Sequence, residues 1–237
     1  MFFNILIMST YREIVYMCLD ELKMISDDSY FTEDHIIFLA DKYRAFLLKK
    51  NYTDIKKTIP DTNYQTLCLS LEKVKSIADD ECSTTYLRSV EEIPELLPVG
   101  TPRVTTLDFF SPEITYVSWE RLKYVGHNSF LRNIMYCSIG PDNKVYFRSQ
   151  NPQMNYLEKV KYSGIFENSA EAAKLECDNQ GDTGAQCDVL YAEFPLEEAL
   201  IPLVIELIVK ELTGAAYKPE DKENNASDDL SGLAVKN

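Results

Sequence analysis

LIPLVIELIV, residues 200–209, is apolar on almost every face once wound into a helix, and Glu206 is its one charge. A membrane span needs about 20 such residues, so this segment is too short to cross a bilayer. A helix that is apolar all round has to be covered all round. One reading makes it the central core helix of the chain. The other turns part of it toward a neighbouring subunit, and the two are compatible. The helical pattern extends from about Pro195 to Thr213. Pro195, Glu197 and Glu198 suit a first turn, where proline loses no hydrogen bond and carboxylates meet the positive end of the helix dipole. Pro202 either kinks this helix or marks its true beginning. Beyond it, KPEDKENNASDDL (218–230) can bury little apolar surface. That segment is either a frayed end or one that orders on binding a partner.

Two more helices lie at the other end. Thr10 and Glu13 form a capping box, each side chain satisfying a backbone N–H that the first turn leaves open. Tyr11, Val15, Cys18, Leu22 and Ile25 then recur at spacings of four and three, one apolar stripe, before SDDS (26–29) ends the helix. The second helix starts at Thr32, with Glu33 and Asp34 in its first turn and Phe31 and Ile36 placed to form a hydrophobic staple. Its stripe is Ile36, Leu39, Tyr43, Phe46 and Leu47, and Lys49, Lys50 and Asn51 suit its C-terminus. The short connection predicts an antiparallel pair. The leading MFFNILIM (1–8) lacks the cationic start of a secretion signal, and Met8 is an alternative start to Met1.

The middle of the chain changes period. Leu67, Leu69 and Leu71 alternate with Cys68 and Ser70, as a strand does. Residues 84–88, 103–107, 134–139, 144–148 and 156–162 are further strand-like runs, and 95–102 reads as a loop. GPDN (140–143) joins two of the runs with proline at the second turn position. Ser169 is placed to cap a short helix, and 178–188 is polar loop. The expected fold is α+β: a helical bundle of the N-terminal hairpin and the long C-terminal helix, an inserted β-rich domain and an extended C-terminal tail. The expected division is 1–65 for the first bundle helices, 66–166 for the insertion, 167–214 for the helices completing the bundle and 215–237 for the tail.

The chain has 237 residues, 45% of them hydrophobic and 26% charged, which predicts a packed core and not disorder. Its net charge of −14 gives it no general attraction to phosphate backbones or anionic membranes. With only 8 glycines, phosphate-cradling loops are not expected, and no P-loop, GxGxxG, HExxH or GxSxG is present. The six cysteines contain no CxxC and there are two histidines, so a zinc site is not expected; free, partly buried thiols are. Neither His35 nor His127 has a nucleophile in a recognisable setting. The adjacent pairs Glu91–Glu92 and Glu197–Glu198 would point apart on a helix. No catalytic residue, metal or cofactor is therefore expected. A small hydrolase using Cys137 or His127 is the alternative from another class. Lys42, Arg44, Lys49, Lys50, Lys56 and Lys57 form a basic cluster, read either as a solvated helix face or as a surface for an acidic partner or phosphate backbone.

TYREIV (10–15) and FTEDHIIFLADKYRAFLLK (31–49) resemble the N-terminal helix pair of a head-to-tail connector family of crAss-like and related Bacteroides phages. The resemblance continues through YLRSVEEIP (86–94), RLKYVGHNSFL (121–131) and YSGIFEN (162–168) to PLVIELIVKEL (202–212) and PEDKENNASDDL (219–230), most of the chain. It implies a portal-adjacent adaptor or ring protein, a structural subunit of the virion neck assembled in the host cytoplasm. It implies a homo-oligomeric ring of twelve copies that contacts the portal and adjacent tail or ring proteins. DNA would pass through the channel without specific binding, and no membrane is involved. A stopper or tail-proximal ring of the same neck is the nearest alternative. On this reading Tyr217, Lys218, Pro219, Glu220, Asp221, Asn224, Asn225, Asp228, Asp229 and Leu230 bind the portal or a neighbouring ring. Leu203, Leu207, Lys42, Arg44, Lys49 and Lys50 are the candidates for contacts between subunits.

Overall fold

The computed structural model describes residues 9–25, 31–53, 57–75, 85–106, 113–125, 129–131, 133–175 and 188–215. Helix α1 (Tyr11–Ile25) begins at the capping box: Thr10 N donates to Glu13 Oε2 at 3.0 Å and Glu13 N to Thr10 Oγ1 at 3.3 Å. Its stripe packs inward through Tyr11, Val15, Cys18 and Leu22. Helix α2 (Glu33–Tyr52) starts after Thr32, which caps through its backbone and not its side chain. It buries Ile36, Leu39 and Leu47 as expected, but turns Leu48, Asp41 and Arg44 inward and leaves Phe46 outside.

The sheet follows: β1 (Gln65–Lys75), β2 (Thr85–Ser89), β3 (Arg103–Thr106), β4 (Thr115–Tyr116), β5 (Tyr136–Ile139), β6 (Val145–Arg148) and β7 (Lys159–Gly164). The order across it is β3-β7-β1-β2-β6-β5-β4. Strand β1 is long enough to serve two partners. Gln65–Ser70 pairs with β7 and Leu71–Lys75 with β2. All pairings are antiparallel except β4 with β5. The two edges meet where Ile114 N donates to Val104 O at 2.8 Å, so the sheet nearly closes into a barrel. Period-two alternation sends Leu67, Leu69, Leu87, Cys137, Val145, Phe147, Val160 and Tyr162 inside. The β5–β6 hairpin turns at GPDN, where Asn143 N donates to Gly140 O at 3.1 Å and Asn143 takes φ 55°. Asparagine tolerates this left-handed backbone better than most residues.

Short helices α3 (Trp119–Leu122) and α4 (Ser169–Ala173) flank the sheet. Asn168, and not Ser169, caps α4, its side chain accepting from Glu171 N at 3.0 Å. Helix α5 (Ile201–Ala215) begins at Ile201, so Pro202 marks the start of the helix and does not kink it. It packs against both α1 and α2, running antiparallel to α2, since Tyr52 meets Glu197 and Lys42 meets Glu211. It is not covered all round: Pro202, Leu203, Glu206 and Lys210 face solvent.

The expected helical bundle with an inserted β domain is not what forms. The chain is a mixed α/β fold whose largest element is the nearly closed seven-stranded sheet, accompanied by short helices. The helices pack around one cluster of buried residues and the sheet encloses a second. Leu97, Val99 and Ile165, which come from the segments flanking the strands, share one cluster with the buried faces of α1, α2 and α5. The extended tail lies outside the described residues. Cys68 is disulfide-bonded, contrary to the expectation of free thiols, whereas Cys18 and Cys137 are free and buried.

Candidate interaction surfaces

Helix α2 places charge on two opposite faces, and the two have different fates. Asp41 and Arg44 point inward, three residues apart on one face. Arg44 is fully buried. Its Nε donates to Pro195 O and its Nη1 to Phe166 O, both at 2.8 Å, with Asn63 O 3.5 Å from Nη2. Asp41 Oδ1 accepts from Tyr11 Oη at 3.0 Å and from Ser169 Oγ, and Oδ2 accepts from Ala170 N at 3.1 Å. Gln65 Nε2 donates to Ser169 O at 3.0 Å, and Asn63 Oδ1 accepts from Glu197 N at 3.0 Å. This buried polar knot ties α1, α2 and α4 to the start of β1 and to the segment that leads into α5. Burial pushes the Asp41 carboxyl up from its ordinary value, against the opposing effects of Ser169, Ala170 N, Arg44 and Tyr11. Burial likewise raises the Tyr11 phenol and lowers the Arg44 guanidinium. At its centre Asp41, Arg44, Tyr11 and Ser169 are buried and bonded to their surroundings, while Asn63 Nδ2 is buried without a hydrogen-bond partner among the described residues; the arrangement suits a structural joint.

The opposite face of α2 is different. Phe38 is 63% and Phe46 53% exposed, and Lys42, Lys49 and Lys50 lie on the same side. Lys42 Nζ sits 3.0 Å from Glu211 Oε1 on α5. Tyr43 also donates to Glu211. Burial and that carboxylate push the Tyr43 phenol up to about 12, while Tyr43 and Lys42 lower Glu211. On α1 the outward residues include Tyr16, Met17 and Met24, the last 90% exposed. Arg12 lies between two rings, 5.4 Å from the Tyr16 centroid and 5.5 Å from that of Tyr191. A third group of exposed apolar side chains lies between β4 and β5. There Phe130 is 92% and Tyr124 70% exposed, and the partly exposed Trp119 ring meets Tyr146 edge-on at 4.9 Å. Exposed large apolar side chains are ordinary singly, but several on one face mark a contact surface.

Of the residues expected between subunits, Lys42, Lys49 and Lys50 are on the surface, Leu203 is partly exposed and Leu207 half-buried. Arg44 is not available for such a contact: it lies inside, bound to three backbone carbonyls. Lys56 and His127 lie outside the described residues, as does the whole proposed docking segment from Tyr217 to Leu230. Sequence reasoning missed Phe38, Tyr16, Met17 and Met24, although the three α1 residues fall off the four-and-three stripe and were legible on that ground. Cys137 lies inside the barrel with its thiol pushed up to about 12 by burial, so it is neither ionised nor reachable as a nucleophile. Among the described residues no group of three or more His, Cys, Asp or Glu side chains is placed to hold a metal, and no helix is long and apolar enough to cross a membrane.

The comparisons with known proteins identify the family. The family model described as phage tail ring protein 2 matches residues 13–230. The chain belongs to this family. It is also similar to "Ring protein 2" of Bacteroides phage crAss001, with 53% identity over 222 residues, 93% of this chain and 98% of that protein. The phage ring proteins are structural components of the particle, and the strings 31–49, 202–212 and 219–230 that carried the resemblance fall within the matched span, as do residues 13–15 of the first string.

Proposed function

We propose that this ring-family chain is a subunit of the neck that joins portal to tail around the DNA channel. The observation that carries the reading is the family match across residues 13–230. The exposed apolar side chains of α1, α2 and the β4–β5 connection supply surfaces for neighbours. On this reading about a dozen copies form the ring, the number the connector resemblance implies. DNA passes without specific binding, as a net charge of −14 favours. The chain works without catalysis. The polar segment from Tyr217 to Leu230, beyond the end of α5, docks on the portal or an adjacent ring and orders as it binds. The word "tail" in the family description favours a second position in the same stack, a tail-proximal ring. Mass spectrometry of purified virions tests the general reading: about a dozen copies per particle are expected, and absence from mature particles overturns it. A map of the intact neck separates the two positions. Truncation after Gly214 is expected to abolish portal association, and normal association of the shortened chain overturns the docking role.

A further inference from the structure

A ring closed by rotation needs two different surfaces on each subunit, one to offer and one to receive. The helices carry two such surfaces. The outer face of α2 bears Phe38 and Phe46 with Lys49 and Lys50, at spacings that place all four on one side of the helix. From Lys42 to its end, α2 exposes no carboxylate, and Lys42 is already paired with Glu211. The outer face of α1 bears Met17 and Met24 with Asp20 and Glu21, again on one side. Its two cations lie toward the other margin, and Arg12 there is held between Tyr16 and Tyr191. The α2 face interleaves phenylalanine with lysine and the α1 face sets carboxylates between methionines, so both combine apolar side chains with charge, and the charges are opposite. Resting on the ring reading above, we infer that the α2 outer face of one copy seats on the α1 outer face of the next, which forms the seam of the ring. Phenylalanine against methionine supplies the buried area, with methionine adapting to the ring edges. Lys49 and Lys50 facing Asp20 and Glu21 fix the orientation and exclude the self-paired arrangement, which would bring lysine against lysine.

The seam is tested in full-length protein by thiol-to-thiol cross-linking of two single variants, Phe46→Cys and Met17→Cys, both at exposed positions. A mixture of the two is expected to give covalent dimers, while each variant alone gives the background of the unsubstituted chain. Equal cross-linking of either variant alone would mean a self-paired interface and overturn the seam. Lys49→Glu with Lys50→Glu is expected to weaken assembly about tenfold per contact, as charge reversal at an interface does. Asp20→Lys with Glu21→Lys in the same chain is expected to restore it. Rings that form normally with the lysines reversed, or a mixture that does not cross-link while the unsubstituted chain makes rings, would sink the seam and leave the ring reading intact. A chain that makes no rings and is absent from virions would sink both.

Discussion

Replacing Arg44 with alanine separates a structural joint from a subunit contact. The guanidinium makes two hydrogen bonds of 2.8 Å to Pro195 O and Phe166 O, and a longer one to Asn63 O. A hydrogen bond involving a charged group contributes about 1.5–3 kcal/mol, and its loss leaves a buried carbonyl unpaired. Two such bonds come to about 3–6 kcal/mol. Asp41 also loses its nearest positive charge, while water entering the vacated space returns part of the cost. The expected destabilisation is about 3–5 kcal/mol, a large share of the ~5–15 kcal/mol that holds most domains together. With a urea dependence of about 2–3 kcal/mol per molar, the unfolding midpoint falls by about 1–2 M. The assay is urea unfolding followed by near- and far-ultraviolet circular dichroism, at concentrations too low for assembly. Arg44→Lys is expected to fall between the two, because one ammonium cannot span carbonyls from separate segments. If Arg44→Ala unfolds within about 0.3 M of the parent and loses only assembly, the side chain is an interface cation and the reasoning fails. A change of about 0.5 kcal/mol or less is what surface substitutions give.

Asp41 has its folded carboxyl raised by burial, so its contribution to stability is full below the unfolded value of about 3.9 and declines as pH rises through the folded value. The stability of the parent relative to Asp41→Asn should therefore decrease from pH 4 to pH 7, and a gap that widens over that range would contradict the direction of the shift. Thr10→Ala removes the acceptor for Glu13 N and should cost about 1 kcal/mol, read as a drop in melting temperature of about 2–4 °C. Cys18 and Cys137 are buried with thiols pushed up to about 12, so a maleimide should leave both unmodified in the folded chain and label them in urea. Rapid labelling of Cys137 in the folded protein would reopen the hydrolase alternative.

Local chemistry was legible wherever neighbours along the chain settle the outcome. The Thr10–Glu13 box, the inward stripe of α1 and the GPDN turn are all short-range events, and each forms as the sequence indicates, whereas the last helix starts at Ile201 and not at the expected Pro195. The family resemblance was legible too, because it rests on strings of residues and not on their contacts. The fold class was not. Nothing local says that Ile114 will reach Val104 and bring the two edges of the sheet together. Nor does the hydrophobic period of α2 say that Arg44 goes inside and Phe46 stays out. Arg44 is buried because carbonyls of Asn63, Phe166 and Pro195 converge there from three distant segments. Phe46 is exposed because Leu47 and Leu48 already fill the side that faces α5 and the rest of the core. Sequence alone determined the starts of α1 and α2 and the turn between β5 and β6, since caps and dihedral preferences act over a few residues. Only tertiary structure decided which faces were covered, since that depends on which distant groups arrive to satisfy them.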